Sequence, residues 1–205
     1  MKISTYINLH KSLVIPVVLA MMAYWGNWST EAFVYLAIHG TYCILWLIKH
    51  ATFPDARFTE RRPLWMGLPF AFLALGGYFV APYLLIRRHL ELPPALIGVA
   101  ISVFTMGVFL HFVSDAQKYF VLAQERRLIT NGLFRRVRNP NYLGEILIYL
   151  AFAMFSLHWL PFLIVGGWVF GFFVPNMLAK DRSLSRYPEF AEYKRTSGLV
   201  LPKLW

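Results

Sequence analysis

The sequence predicts an all-α integral membrane protein with about six transmembrane helices, a C-terminal helical hairpin and a cytoplasmic amphipathic tail. Three observations predict it. Apolar residues make up 58% of the 205 and charged residues only 15%, where a soluble domain carries about a quarter charged. Apolar windows long enough to cross a hydrocarbon core of roughly 30 Å recur along the chain. When these windows alternate across a bilayer with the N-terminus cytoplasmic, 18 of the 20 Lys and Arg residues fall inside. Only Arg87 and Arg88 fall outside, the asymmetry of the positive-inside rule.

The first span, about Leu13 to Trp28, follows Lys2 and Lys11 as a signal peptide would. It continues into Trp25 and Trp28 without a small-residue cleavage site, which fits a retained helix. The second, Glu31 to Ile48, holds His39, Tyr42 and Cys43. A lone cysteine excludes an internal disulfide and reads as a small core residue. The third runs from Leu64 to Ile86 and the fourth from Pro94 to Ser114. The fifth and sixth, Leu143 to Trp159 and Leu160 to Leu178, are short and joined tightly at Trp159-Leu160-Pro161, which reads as the hairpin. No internal repeat or linker tract divides the chain, so 1–205 reads as one membrane domain.

Two cytoplasmic segments stand out for their charge, Asp115 to Asn139 and Lys180 to Trp205, with 17 of the 30 charged residues between them. In the second, Tyr187 and Phe190 alternate with Arg182, Arg186, Lys194 and Arg195 in the pattern of an amphipathic helix at the membrane surface or folded back on the protein. The net charge of +10 is accounted for by basic loops facing anionic lipid, so nucleic acid is not an expected partner. There is no G-x-G-x-x-G after a strand, no P-loop, no H-E-x-x-H and no cysteine pair, so neither a Rossmann nucleotide site nor a cysteine zinc site is expected.

The block Arg138-Asn139-Pro140-Asn141-Tyr142-Leu143-Gly144-Glu145 runs straight into an apolar segment. Asn139 and Pro140 suit a helix start. Asn141 and Glu145 then share one helix face, and Gly144 beside them leaves backbone accessible. An acid and an amide at the mouth of a membrane helix are costly unless something binds there. The alternative is a capped helix with Glu145 paired to a loop arginine. A second stripe, His111, Asp115 and Lys118, lines the end of the fourth span and reads either as a polar cap or as part of the same site. The arginines that follow suit an anionic cofactor, since planar guanidinium groups grip phosphates and carboxylates. In the second span, His39 and Tyr42 lie three apart on one face, as a proton donor and its backing group or as a hydrogen-bonded core pair.

Asn139 to Glu145 resembles the N-x-x-G-E or P-N-Y-x-G-E/D block of the steroid 5α-reductases and the sterol C14/C7 reductases. The resemblance extends over about Ser102 to Trp205 through Ser114-Asp115, Gly132-Leu133-Phe134, Lys180-Asp181, Arg186-Tyr187-Pro188 and Pro202. Isoprenylcysteine carboxyl methyltransferases and phospholipid methyltransferases share the same membrane core, with a related R-H-P-x-Y-x-G block. The resemblance implies a cofactor-binding core at 102–205 and N-terminal helices at 1–101 on the substrate side. It implies NADPH contacts from Asp115, Asn141 and Glu145, flanked by Tyr142 and Arg138. Arg182, Arg186, Tyr187 and Tyr193 would close the site from the tail. The expected function is NADPH-dependent reduction of a carbon–carbon double bond in a lipophilic substrate taken from the bilayer, with Tyr42 and His39 supplying the proton. The alternatives are methyl transfer from S-adenosylmethionine and non-catalytic binding of lipid. Glu145 after Gly144 favours the reductase; for a methyltransferase, His in place of Asn139 and a Glu-Glu pair in place of Lys180-Asp181 are expected.

Overall fold

The computed structural model describes residues 1–69 and 75–203. All regular structure among them is helical, apart from two isolated bridges, Lys2 with Arg61 and Val137 with Gly198. The helices are α1 (Ile3–Trp25), α2 (Thr30–Thr52), α3 (Leu64–Pro69), α4 (Val80–Arg87), α5 (Pro94–Gln124), α6 (Pro140–Met154), α7 (Trp159–Trp168), α8 (Val174–Leu184) and α9 (Phe190–Thr196). Four helical runs are long and apolar enough to cross a membrane: α1, α2, α5 and the continuous run Trp159–Leu184. The chain is therefore read as an integral membrane protein.

The helix ends follow local chemistry more closely than hydropathy. α1 begins ten residues before the apolar window, because Ser4, Tyr6, Ile7, His10, Lys11, Val14 and Val18 are buried at helical spacing and continue one face upstream. It stops at Gly26, whose φ of 63° suits a residue without Cβ; the Asn27 N–H then reaches back to the Met22 carbonyl at 2.9 Å. The Asn27 side chain bonds the Ile86 carbonyl, and Ser29 caps α2 at the Ala32 N–H. α5 passes its predicted end at Ser114 and runs to Gln124, since nothing from Ser114 to Gln124 breaks a helix.

The third predicted span is not one described helix. Leu64–Pro69 and Val80–Arg87 are α-helical, Leu75–Phe79 is a 3-10 turn, and residues 70–74 of that prediction lie outside the described residues. The predicted joint of the hairpin lies slightly earlier than expected, in the turn at Phe155 to His158, and α7 already starts at Trp159. Between α7 and α8 the helix widens to a π turn at Val169–Phe173. Pro175 explains it: proline has no N–H and crowds the carbonyl four residues back, and a π turn absorbs that misfit without ending the helix.

The chain forms two compact units. Met1–Phe104 with Tyr149–Leu163 makes the first, and Thr105–Ile148 with Ile164–Trp205 the second. The first has an aromatic core built from Tyr35, Tyr42, Tyr78, Phe104, Tyr149, Phe152 and Phe155. In the second, α5 and α6 meet at a pair of glycines. A Cβ on Gly107 would lie 2.7 Å from the Gly144 carbonyl oxygen, and one on Gly144 would lie 2.5 Å from the Gly107 carbonyl oxygen. Only hydrogen at both positions lets the backbones come this close.

Candidate functional site

The second unit holds every residue assigned by sequence to cofactor binding. α6 begins at Pro140, as the Asn-Pro pair predicts. His111 on α5 donates from Nδ1 to the Asn141 carbonyl at 3.2 Å, which fixes the two helices at this level. One turn on, Asp115 is buried with only 4% of its surface exposed, and its carboxylate lies 3.5 Å from the Lys118 ammonium. Asn141, Tyr142 and Glu145 are half-buried on the first turns of α6, with the Tyr142 ring 5.0 Å from Phe173 in the π turn. Gly144 faces α5, where it allows the close helix crossing; the sequence reading of it as an opening beside the site gives way to a packing role.

Around this start the chain is tied by charge. Lys180 on α8 donates to the Arg138 carbonyl at 2.9 Å and to Asn139 Oδ1 at 3.0 Å, within electrostatic reach of Asp115 and Asp181. Arg138 is buried, and its Nε sits 3.2 and 3.1 Å from the two oxygens of the equally buried Asp181. Its Nη1 donates to the Ser197 carbonyl. The Asn139 amide donates to the Leu199 carbonyl at 2.9 Å. Backbone bonds from Arg138 N to Gly198 O and from Gly198 N to Arg136 O complete the seam. Tyr193 on α9 donates to the Phe134 carbonyl at 2.7 Å, and burial pushes its hydroxyl up to about 12, so it stays a donor throughout the ordinary pH range. Together these bonds clamp residues 197–199 against 136–139.

Arg138 is thus engaged by Asp181 and the tail. Arg182 and Arg186 are exposed, the latter 5.1 Å above the half-buried Tyr187 ring. The clamp partners Asp181 and Ser197 were not assigned by sequence to binding Arg138. Lys180-Asp181 stood out as a motif, but nothing in its spacing says which side chain turns inward.

In the first unit, His39 Nδ1 is hydrogen-bonded to the Tyr35 hydroxyl at 3.1 Å, one helical turn earlier, and its ring stacks on Phe152 at 4.3 Å. The Tyr42 hydroxyl meets the Tyr149 hydroxyl at 3.1 Å, and Tyr149 stacks on Tyr78 at 4.3 Å. Lys11 was counted by sequence among the loop charges before the first span. It lies inside α1, buried, with its ammonium 4.2 Å from the centre of the Tyr42 ring and 5.7 Å from those of Trp46 and Tyr78. Ring faces carry negative charge and stabilise a desolvated cation. Lys11, Tyr149 and the neighbouring buried His10 were missed because a hydropathy window averages them away. The helical repeat Ile7, Lys11, Val14, Val18 was the available signal.

The family described as a protein of unknown function, DUF1295, matches residues 70–197, more than half of the chain. The chain belongs to this family. Two uncharacterized proteins of Schizosaccharomyces pombe are similar over shorter stretches. One is 34% identical over 95 residues, covering 42% of this chain and 27% of that protein. The other is 40% identical over 56 residues, covering 27% of this chain and 19% of that protein. The matched stretches thus span under a third of the length of either relative.

Proposed function

We propose that this protein is a membrane-embedded, NADPH-dependent reductase of a carbon–carbon double bond in a lipophilic substrate, related to the steroid 5α-reductases and sterol reductases. The observation that supports the reading is the His111–Asn141 contact between α5 and α6, with Asp115 one turn beyond His111 and Glu145 one turn beyond Asn141. An acid buried to 4% exposure and a half-buried amide and acid are acceptors and donors for the hydroxyls and amides of a nucleotide, and a group of this kind inside a membrane unit marks a binding site by default. The α6 N-terminus adds positive backbone potential for a phosphate. The residues present therefore fit the cofactor. Asp115, Asn141, Tyr142 and Glu145 would hold it, while Arg182, Arg186 and Tyr187 flank it from the tail. Arg138 and Tyr193 contribute by holding the clamp.

When bound, NADPH supplies the hydride. In the first unit, the Tyr42 hydroxyl would deliver the proton. Tyr149 is its hydrogen-bond partner, the Lys11 ammonium lies over its ring, and His39 stands one turn away. The buried Lys11 and Tyr149 supply Tyr42 with polar company. The finer topology belongs to this proposal too: six spans, with both termini cytoplasmic. Lys11 and Lys49 are buried within helices and drop out of the loop count, which leaves the basic asymmetry in place.

Fluorescence titration of the detergent-purified protein tests the reading. The parent is expected to bind NADPH and not S-adenosylmethionine. Glu145→Gln and Asn141→Ala are each expected to weaken NADPH at least tenfold without lowering the melting temperature. Binding of S-adenosylmethionine alone would replace the reductase with a methyl transferase, binding of neither would leave a lipid-binding protein, and variants that bind NADPH like the parent would remove Asn141 and Glu145 from the site.

A further inference from the structure

We propose that the second unit carries a pocket for the headgroup of a zwitterionic phospholipid, formed between the loop 130–136 and α9. A cavity of about 450 Å³ opens there. Arg135 and Arg136 line it from the loop together with the Thr130 hydroxyl, and Glu189, Glu192 and Thr196 line it from the other side. Tyr193 also lines the cavity, its hydroxyl bonded to the Phe134 carbonyl.

The lining selects for both signs of charge in one ligand. Two adjacent guanidinium groups and the Thr130 hydroxyl are donors suited to a phosphodiester; one amine of Arg136 already reaches the Lys203 carbonyl, which leaves the rest of its fork, and the Thr196 hydroxyl donates within its own helix. A ligand carrying only negative charge would meet two carboxylates, and one carrying only positive charge would meet two arginines. A phosphate with an ammonium a few bonds away satisfies both. Glu189 makes no ion pair among the described residues, which leaves its carboxylate for the ammonium. Glu192 already accepts from Arg195 at 2.9 and 2.7 Å, but both partners are exposed, and pairs of that kind exchange at little cost.

Both walls of the pocket also follow candidate membrane helices closely in sequence. Thr130 follows the end of the apolar helix Pro94–Gln124 by six residues, and Phe190 follows the end of the apolar run Trp159–Leu184 by six. Six residues reach at most about 20 Å even when fully extended. Both walls of the pocket are therefore tethered within about 20 Å of the ends of these two helices. The proposal uses none of the residues assigned to the catalytic step or to gripping the cofactor, apart from the clamp residue Tyr193, and it stands whichever cofactor binds.

Native mass spectrometry of the full chain, incubated in detergent with dioleoylphosphatidylcholine, dioleoylphosphatidylglycerol or dioleoylglycerol, tests it. The parent is expected to retain phosphatidylcholine at least tenfold more tightly than phosphatidylglycerol, and dioleoylglycerol least. Arg135→Gln/Arg136→Gln is expected to lose phosphatidylcholine at least tenfold, and Glu189→Gln to weaken phosphatidylcholine while leaving phosphatidylglycerol unchanged. Millimolar phosphocholine is expected to displace the lipid, because the headgroup carries the recognition. Equal retention of the two phospholipids, or Glu189→Gln without effect, would reduce the pocket to a basic patch and overturn the proposal. Failure of phosphocholine to compete would place recognition in the acyl chains and overturn it as well. The three substituted residues are exposed, so unchanged circular dichroism melts are expected to accompany these losses.

Discussion

A Gly144→Ala protein is expected to unfold well below its parent, and Gly144→Leu to give no folded protein in detergent. Two effects oppose each other at this position. Alanine is favoured over glycine in a helix interior by about 1 kcal/mol. Against that, the new methyl would meet the backbone of α5, where His111 N, His111 Cα and the Gly107 carbonyl oxygen already occupy its place. Overpacking costs about 1–3 kcal/mol when side chains can move. Backbone cannot give way so cheaply, so the net change is expected near the upper end of that range. Gly166→Ala on α7 is the control, since a Cβ there meets nothing within 4 Å. Its melting temperature is expected to equal or slightly exceed that of the parent. A Gly144→Ala protein as stable as Gly166→Ala would mean that α5 and α6 do not approach at this crossing.

The second large effect is expected at Arg138. Replacing it with Met keeps the stem and removes the charge, leaving the buried Asp181 without its 3.1 Å partner and the Ser197 carbonyl without its donor. Breaking a buried pair from one side costs about 3–5 kcal/mol, largely because the remaining charge is stranded. The double variant Arg138→Met/Asp181→Leu removes the stranded carboxylate, leaving only the Ser197 carbonyl without its donor, and is expected to be more stable than Arg138→Met alone, a coupling that a double-mutant cycle reads directly. Arg138→Lys is not expected to restore the parent, because one ammonium cannot span both Asp181 and the tail carbonyl. Limited proteolysis after residue 194 should accelerate in Arg138→Met and recover partly in the double variant. If the single and double variants fall equally, the clamp is not held by this ion pair.

The legible parts of this molecule were those written in local chemistry. Asn139-Pro140 announced the start of α6, and the apolar windows announced α1, α2, α5 and the run Trp159–Leu184, because capping and hydropathy act over a few residues. Helix ends were read less well. Hydropathy stops where polar residues begin, whereas backbone hydrogen bonds continue until something breaks them, which is why α1 starts at Ile3 and α5 runs on to Gln124. Tertiary pairings left the weakest trace. Arg138 and Asp181 are 43 positions apart, and Tyr42 and Tyr149 are 107 apart; nothing along the chain joins them. Lys11 shows the same limit, since its charge suggested a loop while its helical register placed it among aromatic rings. Gly144 was visible as important, but sequence cannot tell a glycine that admits a ligand from one that admits a neighbouring helix.

The proposed reductase requires a dinucleotide held in the second unit by Asp115, Asn141 and Glu145. Mass spectrometry of the freshly purified protein under non-denaturing conditions tests this most directly. The predicted result is a bound species with the mass of NADPH or its oxidised form, released on denaturation. A bound sulfonium cofactor in its place, or a chain that carries no dinucleotide even after incubation with excess NADPH, would contradict it.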